Sequence, residues 1–297
     1  MTRFVDEHRS MYGVEPICRV LPIAPSTYYL HVGRRADPAK QPARQQRDVA
    51  LLPQVRRAWD ENQQVYGAKK VWKQLQRERW VVARCTVERL MRQLGIRGVV
   101  RGKAVRTTMP DPARRCPLDR VNRQFKAERP DQLWVSDYTF VSTWQGFAYV
   151  AFVIDVYARR IVGWKVSAGQ QTQFVLDALE QALHARRPVD RLVHHSDRGS
   201  QYVSIRYTER LAEAGIEPSV GSVGDSYDNA LAETINGLYK AEVVHRRSWR
   251  SREELELATL RWVDWYNHRR LLGPIGYIPP AEAEENHYRQ QESAIDV

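Results

Sequence analysis

A continuously apolar segment, residues 147–157, constrains the fold of this 297-residue chain more than any other feature. It is built almost entirely from β-branched, aromatic and small side chains, and it contains a single acid, Asp155. An uninterrupted apolar run of this length, rich in strand-forming residues, is typical of a strand that is buried on both faces. The segment therefore predicts the central strand of a sheet.

The surrounding pattern predicts a mixed α/β fold. Short gaps place two further strands around the first one, which indicates a three-stranded antiparallel meander. The predicted strands are 133–140, 147–157, 160–166, 192–196 and 216–220, and the predicted helices of this part are 172–187, 202–214 and about 228–243. Strands that alternate with helices form a sheet with flanking helices, and sites form at the carboxyl ends of its strands.

Three acids fall where such a site is expected: Asp137 in the first strand, Asp197 after the fourth, and Glu233 in the helix at about 228–243. Cleavage and transfer of a phosphodiester need an activated attacking oxygen and a neutralised leaving oxygen, and two Mg²⁺ ions provide both. Carboxylates are the side-chain ligands that Mg²⁺ prefers. Any one of the 35 acids is more often a helix cap or an ion-pair partner, so the prediction depends on all three together. They are predicted to be catalytic and to bind two Mg²⁺ ions, for which Mn²⁺ is a substitute.

Several polar residues near these acids are candidates for contact with DNA. Lys240 lies two helical turns after Glu233, and Asn229 and Asn236 share the same predicted helix face. Arg198 directly follows Asp197. For Lys240 the alternative is a solvated lysine. His194 and His195 are assigned no role, because a histidine that faces the site and a packed, hydrogen-bonded histidine are equally compatible with the sequence.

Upstream, three helices are predicted at about 47–62, 68–78 and 84–94, and the last two each have one apolar face. Their outer faces are basic, which is typical of a helix-turn-helix domain whose second helix enters the major groove. The alternative is a solvated basic face on an ordinary helical domain. The residues predicted to contact DNA are Lys69, Lys70, Arg84, Arg89 and Arg92.

Charge and composition support a polyanionic partner. The formal net charge is +11, and between residues 84 and 129 Lys and Arg outnumber acids by 13 to four. A basic segment of this kind is suited to lie along a nucleic acid. Cys18, Cys85 and Cys116 are too scattered for a zinc site or a disulfide framework. No apolar run has membrane-spanning length and no signal peptide is found, so a cytoplasmic location is expected.

The predicted domains are an N-terminal helical segment with a linker, a helix-turn-helix domain, a basic linker, a catalytic core and a C-terminal helical tail. Their bounds are 1–46, 47–105, 106–128, 129–243 and 244–297. Within the first, a short helix that carries Ile17 is expected to end before the helix breakers Pro22 and Pro25. A second short helix is expected to begin at Ser26 or Thr27, and 34–46 is expected to be the linker. Near the other end, Pro279 and Pro280 are expected to end regular structure, which leaves the acidic tail on the surface.

Several motifs resemble the transposases of the insertion-sequence-three family, in particular their reading-frame-B product. The matching segments, in the order of the family, are 65–72, 87–92, 133–137, 153–155, 194–202, 227–233 and 265–269. The most specific are His-Ser-Asp-Arg-Gly-Ser-Gln-Tyr at 195–202 and the spacing from Asp197 to Glu233.

The resemblance implies a ribonuclease-H-like integrase core of the retroviral-integrase superfamily, preceded by an all-α helix-turn-helix domain. It implies that Asp137, Asp197 and Glu233 form the metal-binding triad and that Lys240 contacts DNA. The enzyme would free a 3′-OH at the end of the element and use it to attack another phosphodiester. Its partners would be the terminal inverted repeats, target DNA and further copies of the chain on DNA. The frame-A product of the family has a separate N-terminal helix-turn-helix and a leucine zipper, which this chain lacks. That product would therefore be a fusion or a partner.

Two other functions are compatible with the same residues. A structure-selective nuclease on the same core would cut DNA without joining it, and only a transposase would give strand-transfer product from a pre-nicked 3′-OH end. A binding or regulatory protein with vestigial acids would be indifferent to the replacement of Glu233.

Overall fold

The computed structural model describes residues 1–102, 127–187, 191–196, 201–202, 204–220 and 230–295. Asp197, Arg198 and Asn229 lie outside the described residues, as does most of the predicted basic linker. The rest of the chain forms a helical N-terminal part and a mixed α/β part, which share one continuous apolar core. None of the helices in these described ranges is long and apolar enough to cross a membrane.

The N-terminal segment contains three helices, α1 (Thr2–Tyr12), α2 (Val14–Val20) and α3 (Pro25–Ala36). They enclose a small cluster around Val5, Ile17 and Tyr28. The two expected short helices correspond to α2 and α3, whereas α1 was not expected and part of the expected linker belongs to α3. Proline in the first turn of a helix loses no hydrogen bond, because that N–H has no partner inside the helix. Pro25 thus begins a helix.

The next three helices have the bounds that the sequence predicts to within a few residues. They are α4 (Ala43–Asp60), α5 (Ala68–Arg77) and α6 (Arg84–Gln93). Each contributes one apolar face to the core, through Val55 from α4, Leu75 from α5, and Val87 with Leu90 from α6. In the turn between α5 and α6, Trp72 Nε1 donates a hydrogen bond to the carbonyl oxygen of Val82 at 2.8 Å. The result is a helix-turn-helix arrangement.

The predicted five-stranded mixed sheet is confirmed. Strands β1 (Leu133–Thr143), β2 (Gly146–Asp155) and β3 (Ile161–Ser167) form the antiparallel meander. Strands β4 (Val193–Ser196) and β5 (Glu217–Val220) continue the sheet in parallel, so that the strand order is β3-β2-β1-β4-β5. The apolar segment is indeed the inner strand β2.

Helices cover both faces of the sheet. Helices α7 (Thr172–Arg186) and α8 (Ile205–Glu213) pack on one face. Helices α9 (Ala230–Glu242) and α10 (Arg252–His268) pack on the other, and the helix-turn-helix domain joins the same cluster. The side of the sheet that carries α9 is therefore also the side that contacts the helix-turn-helix domain.

The C-terminal segment departs from the prediction. Helix α11 (Pro280–Ile295) begins directly after Pro279, with Pro280 in its first turn. Glu284 on α11 is buried and forms ion pairs with Arg160 and Arg186. The expectation that regular structure ends at Pro279 and Pro280 is therefore wrong, and the tail is attached to the α/β part through a buried carboxylate.

Candidate active site

The first candidate acid, Asp137, lies within β1 on the face that α9 covers. Alternate residues of a strand share one face, and Val135 and Val141 of that face pack in one cluster with Ile235 of α9. Asn236 Nδ2 of α9 donates a hydrogen bond to Asp137 Oδ2 at 2.8 Å. The backbone N–H of Tyr138 donates to the other carboxylate oxygen, also at 2.8 Å. Asp137 is therefore held from both its strand and the helix opposite.

The second candidate acid, Glu233, lies in the first turn of α9, three residues before Asn236. Residues three apart on a helix are neighbours on its surface, so Glu233 shares the face that contacts Asp137. The Glu233 side chain is exposed on this face. The protein atoms around it remove part of its hydration and so raise the pKa of its carboxyl group above the ordinary value. The structure thus brings Asp137 and the turn that carries Glu233 together on one face of the sheet, where the parallel β1–β4 ladder ends.

The third candidate acid, Asp197, is outside the described residues, and it directly follows Ser196, the last residue of β4. Ser196 pairs with Ser136 in the parallel β1–β4 ladder. Among the described residues, no group of three or more His, Cys, Asp and Glu side chains forms a metal-binding cluster. Two carboxylates of the candidate triad are therefore placed, and the third is not.

The donor atoms at this site are chemically suited to a hard cation. They are carboxylate oxygens and, from Asn236, a buried amide oxygen that has no hydrogen-bond donor within the described part of the chain. Oxygen donors of this kind are those that Mg²⁺ and Mn²⁺ prefer. Asn236 was predicted to share the face of Glu233, but its bond to Asp137 has no signal in the sequence.

Both histidines in front of Asp197 are packed inside the protein. His194 Nε2 is 2.8 Å from Ser136 Oγ and 3.1 Å from the hydroxyl of Tyr207. Burial, together with neighbouring His195, lowers the pKa of His194 to about 3, so its ring is neutral. His195 Nδ1 lies 2.9 Å from Ser219 Oγ. Of the two alternatives that the sequence left open, the packed, hydrogen-bonded histidine is the one observed.

Lys240 lies at the other end of α9, half-buried, with its ammonium group 5.5 Å from the centre of the Phe140 ring. It lines an open cleft of about 380 Å³ between the β1–β2 hairpin and the segment after α9. Asp137 and Phe140 belong to the same strand. The cleft therefore lies farther along the same two elements as the acids: Phe140 follows Asp137 on β1, and Lys240 follows Glu233 on α9.

The candidate DNA-binding cations of the helix-turn-helix domain differ in their surroundings. Arg84 pairs with Glu88 at 2.8 Å, and Arg89 pairs with Asp48 at 2.7 Å. Arg92 and Lys69 are exposed. Arg84 is exposed as well, so Lys69, Arg84 and Arg92 are the accessible members of the predicted set.

Lys70 occupies the junction between the helix-turn-helix domain and α9. Its ammonium lies 5.2 Å from the centre of the Tyr66 ring, in a cleft that Arg101 and Arg270 also line. Burial, and then the charge of Arg270, lowers the pKa of Lys70 to about 7. Arg101 donates a hydrogen bond of 2.6 Å to the carbonyl oxygen of Thr234, the residue after Glu233. The helix-turn-helix domain therefore contacts the helix of the candidate site directly.

Comparison with known families agrees with this architecture. A model described as "Integrase core domain" matches residues 127–226, and a second model with the same description matches 214–280. A model described as "HTH-like domain" matches residues 46–104. These three matches cover the α/β part and the three-helix part separately.

Curated relatives match along nearly the whole chain. A transposase for insertion sequence element IS629 from Shigella sonnei is 62% identical over 288 residues, which is 97% of both chains. Transposase InsF for insertion sequence IS3A from Escherichia coli K12 is 30% identical over 95% of this chain and 97% of its own.

Among solved structures, the catalytic core domain of HTLV-2 integrase in complex with magnesium is 14% identical, with a TM-score of 0.42. It covers 54% of this chain and 99% of its own. This likeness is too distant to carry an inference about function.

The fold and the matching families define a class, the polynucleotidyl transferases built on an integrase core. Within that class, the chain belongs to the insertion-sequence-three (IS3) family of transposases. It is thus a transposase of an insertion sequence, with an HTH-like domain in front of its catalytic core.

Proposed function

We propose that this transposase catalyses the Mg²⁺-dependent cleavage of DNA at the 3′ ends of its insertion sequence and the transfer of those ends to a target. Asp137, Asp197 and Glu233 are the proposed catalytic and metal-binding residues. The observation that carries the proposal is the 2.8 Å hydrogen bond from Asn236 to Asp137, because it joins the strand of one acid to the helix of another. The pairing of Ser136 with Ser196 supports the third acid, since Asp137 and Asp197 each follow one of these serines.

The donor set fits divalent metal ions. Three carboxylates and the amide oxygen of Asn236 are hard ligands, and few protein ligands suffice where water and substrate phosphate complete an octahedron. Two bound Mg²⁺ ions, or Mn²⁺ in their place, would activate the attacking oxygen and neutralise the leaving 3′ oxygen.

The protein's own groups would position these ligands and the DNA. The Asn236 amide and the Tyr138 N–H fix both oxygens of Asp137, so this carboxylate enters the reaction already oriented. Lys240, two turns along α9 from Glu233, would hold a phosphate of the DNA end. Asn229 and Arg198 are proposed contacts to the same end. The attacking 3′-OH belongs to DNA, so no covalent protein intermediate is needed.

The partners follow from this chemistry. The HTH-like domain would bind the terminal inverted repeats, through exposed Lys69, Arg84 and Arg92 first, with Lys70 and Arg89 as further candidates. Two element ends must be joined to one target, so the chain would act as a homo-oligomer on DNA. The frame-A product is proposed as a fusion or a partner. A location in the bacterial cytoplasm follows from the DNA substrate.

A strand-transfer assay tests the proposal. Purified chain receives a pre-nicked element end with a free 3′-OH, a target duplex and Mg²⁺, and joined product is measured. Glu233→Gln and Asp137→Asn should each lower the rate at least about 10²-fold, because they remove a charge that balances the metal ions. Glu253→Gln, an equivalent change at an exposed residue on α10, is the matched control and should leave the rate unchanged.

The other outcomes separate the rival functions. Cleavage of an intact end without any joined product would indicate a nuclease. Equal product from wild-type protein and Glu233→Gln would contradict a catalytic role for these acids, and would favour a binding or regulatory protein.

A further inference from the structure

The β1–β2 hairpin carries three large aromatic side chains that the protein does not cover. Phe140 and Phe147 are each 58% exposed, and Trp144 at the turn is 70% exposed. The rings of Phe140 and Phe147 meet edge to face, with centroids 5.6 Å apart. Single exposed apolar residues are common, but three aromatic rings on one hairpin form a patch of the kind that marks an interaction site.

Cations accompany each part of this patch. The Lys240 ammonium lies 5.5 Å from the centre of the Phe140 ring, and the Arg250 guanidinium lies 5.5 Å from the centre of the Trp144 ring. Within the part of the chain that the structure describes, neither cation has a carboxylate within ion-pair distance. Arg247, in the same cleft, is paired with Glu254 at 3.2 Å. The patch thus combines bare aromatic rings with two uncompensated positive charges.

The hairpin is held in place. The backbone N–H of Trp144 donates a hydrogen bond to the carbonyl oxygen of Trp249 at 3.0 Å, which ties the turn to the segment after α9. Within the turn, Thr143 Oγ1 donates to the carbonyl oxygen of Gly146 at 2.7 Å. Gly146 has φ of +112°, a conformation that favours glycine. The rings are therefore presented on a fixed support, which lowers the entropy lost when a ligand binds.

We propose that this aromatic–basic surface, formed by Phe140, Trp144, Phe147, Lys240 and Arg250, binds unpaired nucleotides of the DNA end by stacking. Every base has a flat face that stacks on aromatic rings, and cations beside those rings neutralise the adjoining phosphates. The proposal rests on the proposed function, because it takes the DNA end as the substrate. It adds that the end is bound with some of its bases out of the duplex.

The position of the surface sets which nucleotides it takes. Lys240 lies seven residues after Glu233 on α9, a separation of about 10 Å along the helix axis. With a step of about 3.4 Å per nucleotide along one strand, this is about three nucleotides. The stacked bases are those within about three positions of the phosphate that the acids attack.

Charge favours DNA over a second copy of the chain as the occupant. A symmetric contact between copies would bring the same patch of both chains together. Lys240 and Arg250 would then face identical, uncompensated cations, which costs free energy. A polyanion with flat bases matches both the charge and the rings of the surface.

Binding measurements without divalent metal test the proposal independently of catalysis. The full chain is titrated with element ends that carry 2-aminopurine at the first to sixth positions, either fully paired or with the last three nucleotides unpaired. Quenching of the probe by stacking is expected at positions one to three. Trp144→Ala combined with Phe140→Leu should abolish this quenching and weaken binding of the unpaired end about tenfold or more. Binding of the fully paired end should change much less.

Control variants keep the test decisive. Tyr288→Leu, a change at a partly exposed aromatic residue of α11, should leave quenching and affinity unchanged. Lys240→Gln and Arg250→Gln should each lower the salt slope of log K by about 0.7. Circular dichroism of each variant shows that it is folded.

Two results would overturn the proposal. One is an equal loss of affinity for the paired and the unpaired end in the Trp144→Ala, Phe140→Leu variant. The other is a change in the sedimentation mass of the DNA-free protein in that variant, which would make the surface an interface between copies. Failure of strand transfer with intact stacking would contradict the proposed catalysis but leave this surface standing.

Discussion

Aromatic rings and cations meet at two places along α9 and α10, and the two places treat them in opposite ways. At the junction with the helix-turn-helix domain, Arg270 is only 3% exposed, close to the rings of Trp265 and Tyr266. Its Nε donates to Glu242 Oε2 at 3.0 Å, and Trp262 Nε1 donates to the same oxygen. At the β1–β2 hairpin, Lys240 and Arg250 lie beside rings that are largely exposed, without any such carboxylate among the described residues.

The difference teaches what each place can do. A buried charge must be paired and hydrogen-bonded, because its desolvation otherwise costs several kcal/mol. The junction is therefore closed and structural, and it fixes the helix-turn-helix domain against the catalytic part. Half-buried Lys240 and exposed Arg250 keep much of their hydration and have no such requirement, so the hairpin keeps both its rings and its charges available to a partner.

The largest effect is expected at the junction. Glu242→Gln leaves Arg270 buried without its counter-charge and should lower the free energy of unfolding by about 3–5 kcal/mol. Urea denaturation followed by circular dichroism measures the change. The control is Glu88→Gln, which breaks the exposed Arg84–Glu88 pair and should cost no more than about 1 kcal/mol. Equal losses in the two variants would contradict the distinction between a closed and an open region.

An intermediate, pH-dependent effect is expected at Lys70. Burial lowers the pKa of Lys70 in the folded protein to about 7, while its ordinary value is 10.5. Between pH 7 and 10 the unfolded chain therefore binds more protons at this residue than the folded chain, and the stability of the protein rises with pH. Below pH 7 the charge is present in both states and its burial is most costly.

Lys70→Met removes that cost. The variant should be more stable than wild type by on the order of 1–2 kcal/mol at pH 6, allowing for the partial exposure of the side chain, and most of the gain should be lost by pH 10. Melting temperatures at the two pH values measure it. Lys69→Met, at the exposed neighbouring residue, should show no such pH dependence. A gain for Lys70→Met that does not change with pH would show that the lysine is solvated, as in the hairpin region.

The smallest effect is expected at the hairpin. Lys240→Ala removes a cation beside a largely exposed ring, a contact that contributes about 0.5–1 kcal/mol at exposed sites. The free energy of unfolding should therefore change by no more than about 1 kcal/mol, measured under the same urea conditions. A loss as large as that of Glu242→Gln would show that the hairpin surface is part of the structural core and not a surface kept for a partner.

Local patterns predicted most of the elements. The apolar run at 147–157 predicted β2, and the apolar faces of α5 and α6 predicted those helices, because side-chain period and composition determine local structure. The errors lie near the two ends of the chain: α1 was not expected, and Pro280 begins a helix where regular structure was expected to end. Proline both breaks a helix and starts one, and only the surrounding packing decides between the two.

For the candidate site, too, some features follow from the local sequence and others only from tertiary packing. The sequence by itself determined the family, the strand of Asp137, the helix of Glu233 and the spacing of Lys240 on that helix, because each depends on residues close together in the chain. Only the tertiary structure decided that Asn236 holds Asp137, that Glu242 neutralises Arg270, and that the Phe140 and Phe147 rings share a cleft with Lys240. These contacts join residues from separate elements, and the packing of α9 against the sheet, which no local pattern encodes, sets the distances between them.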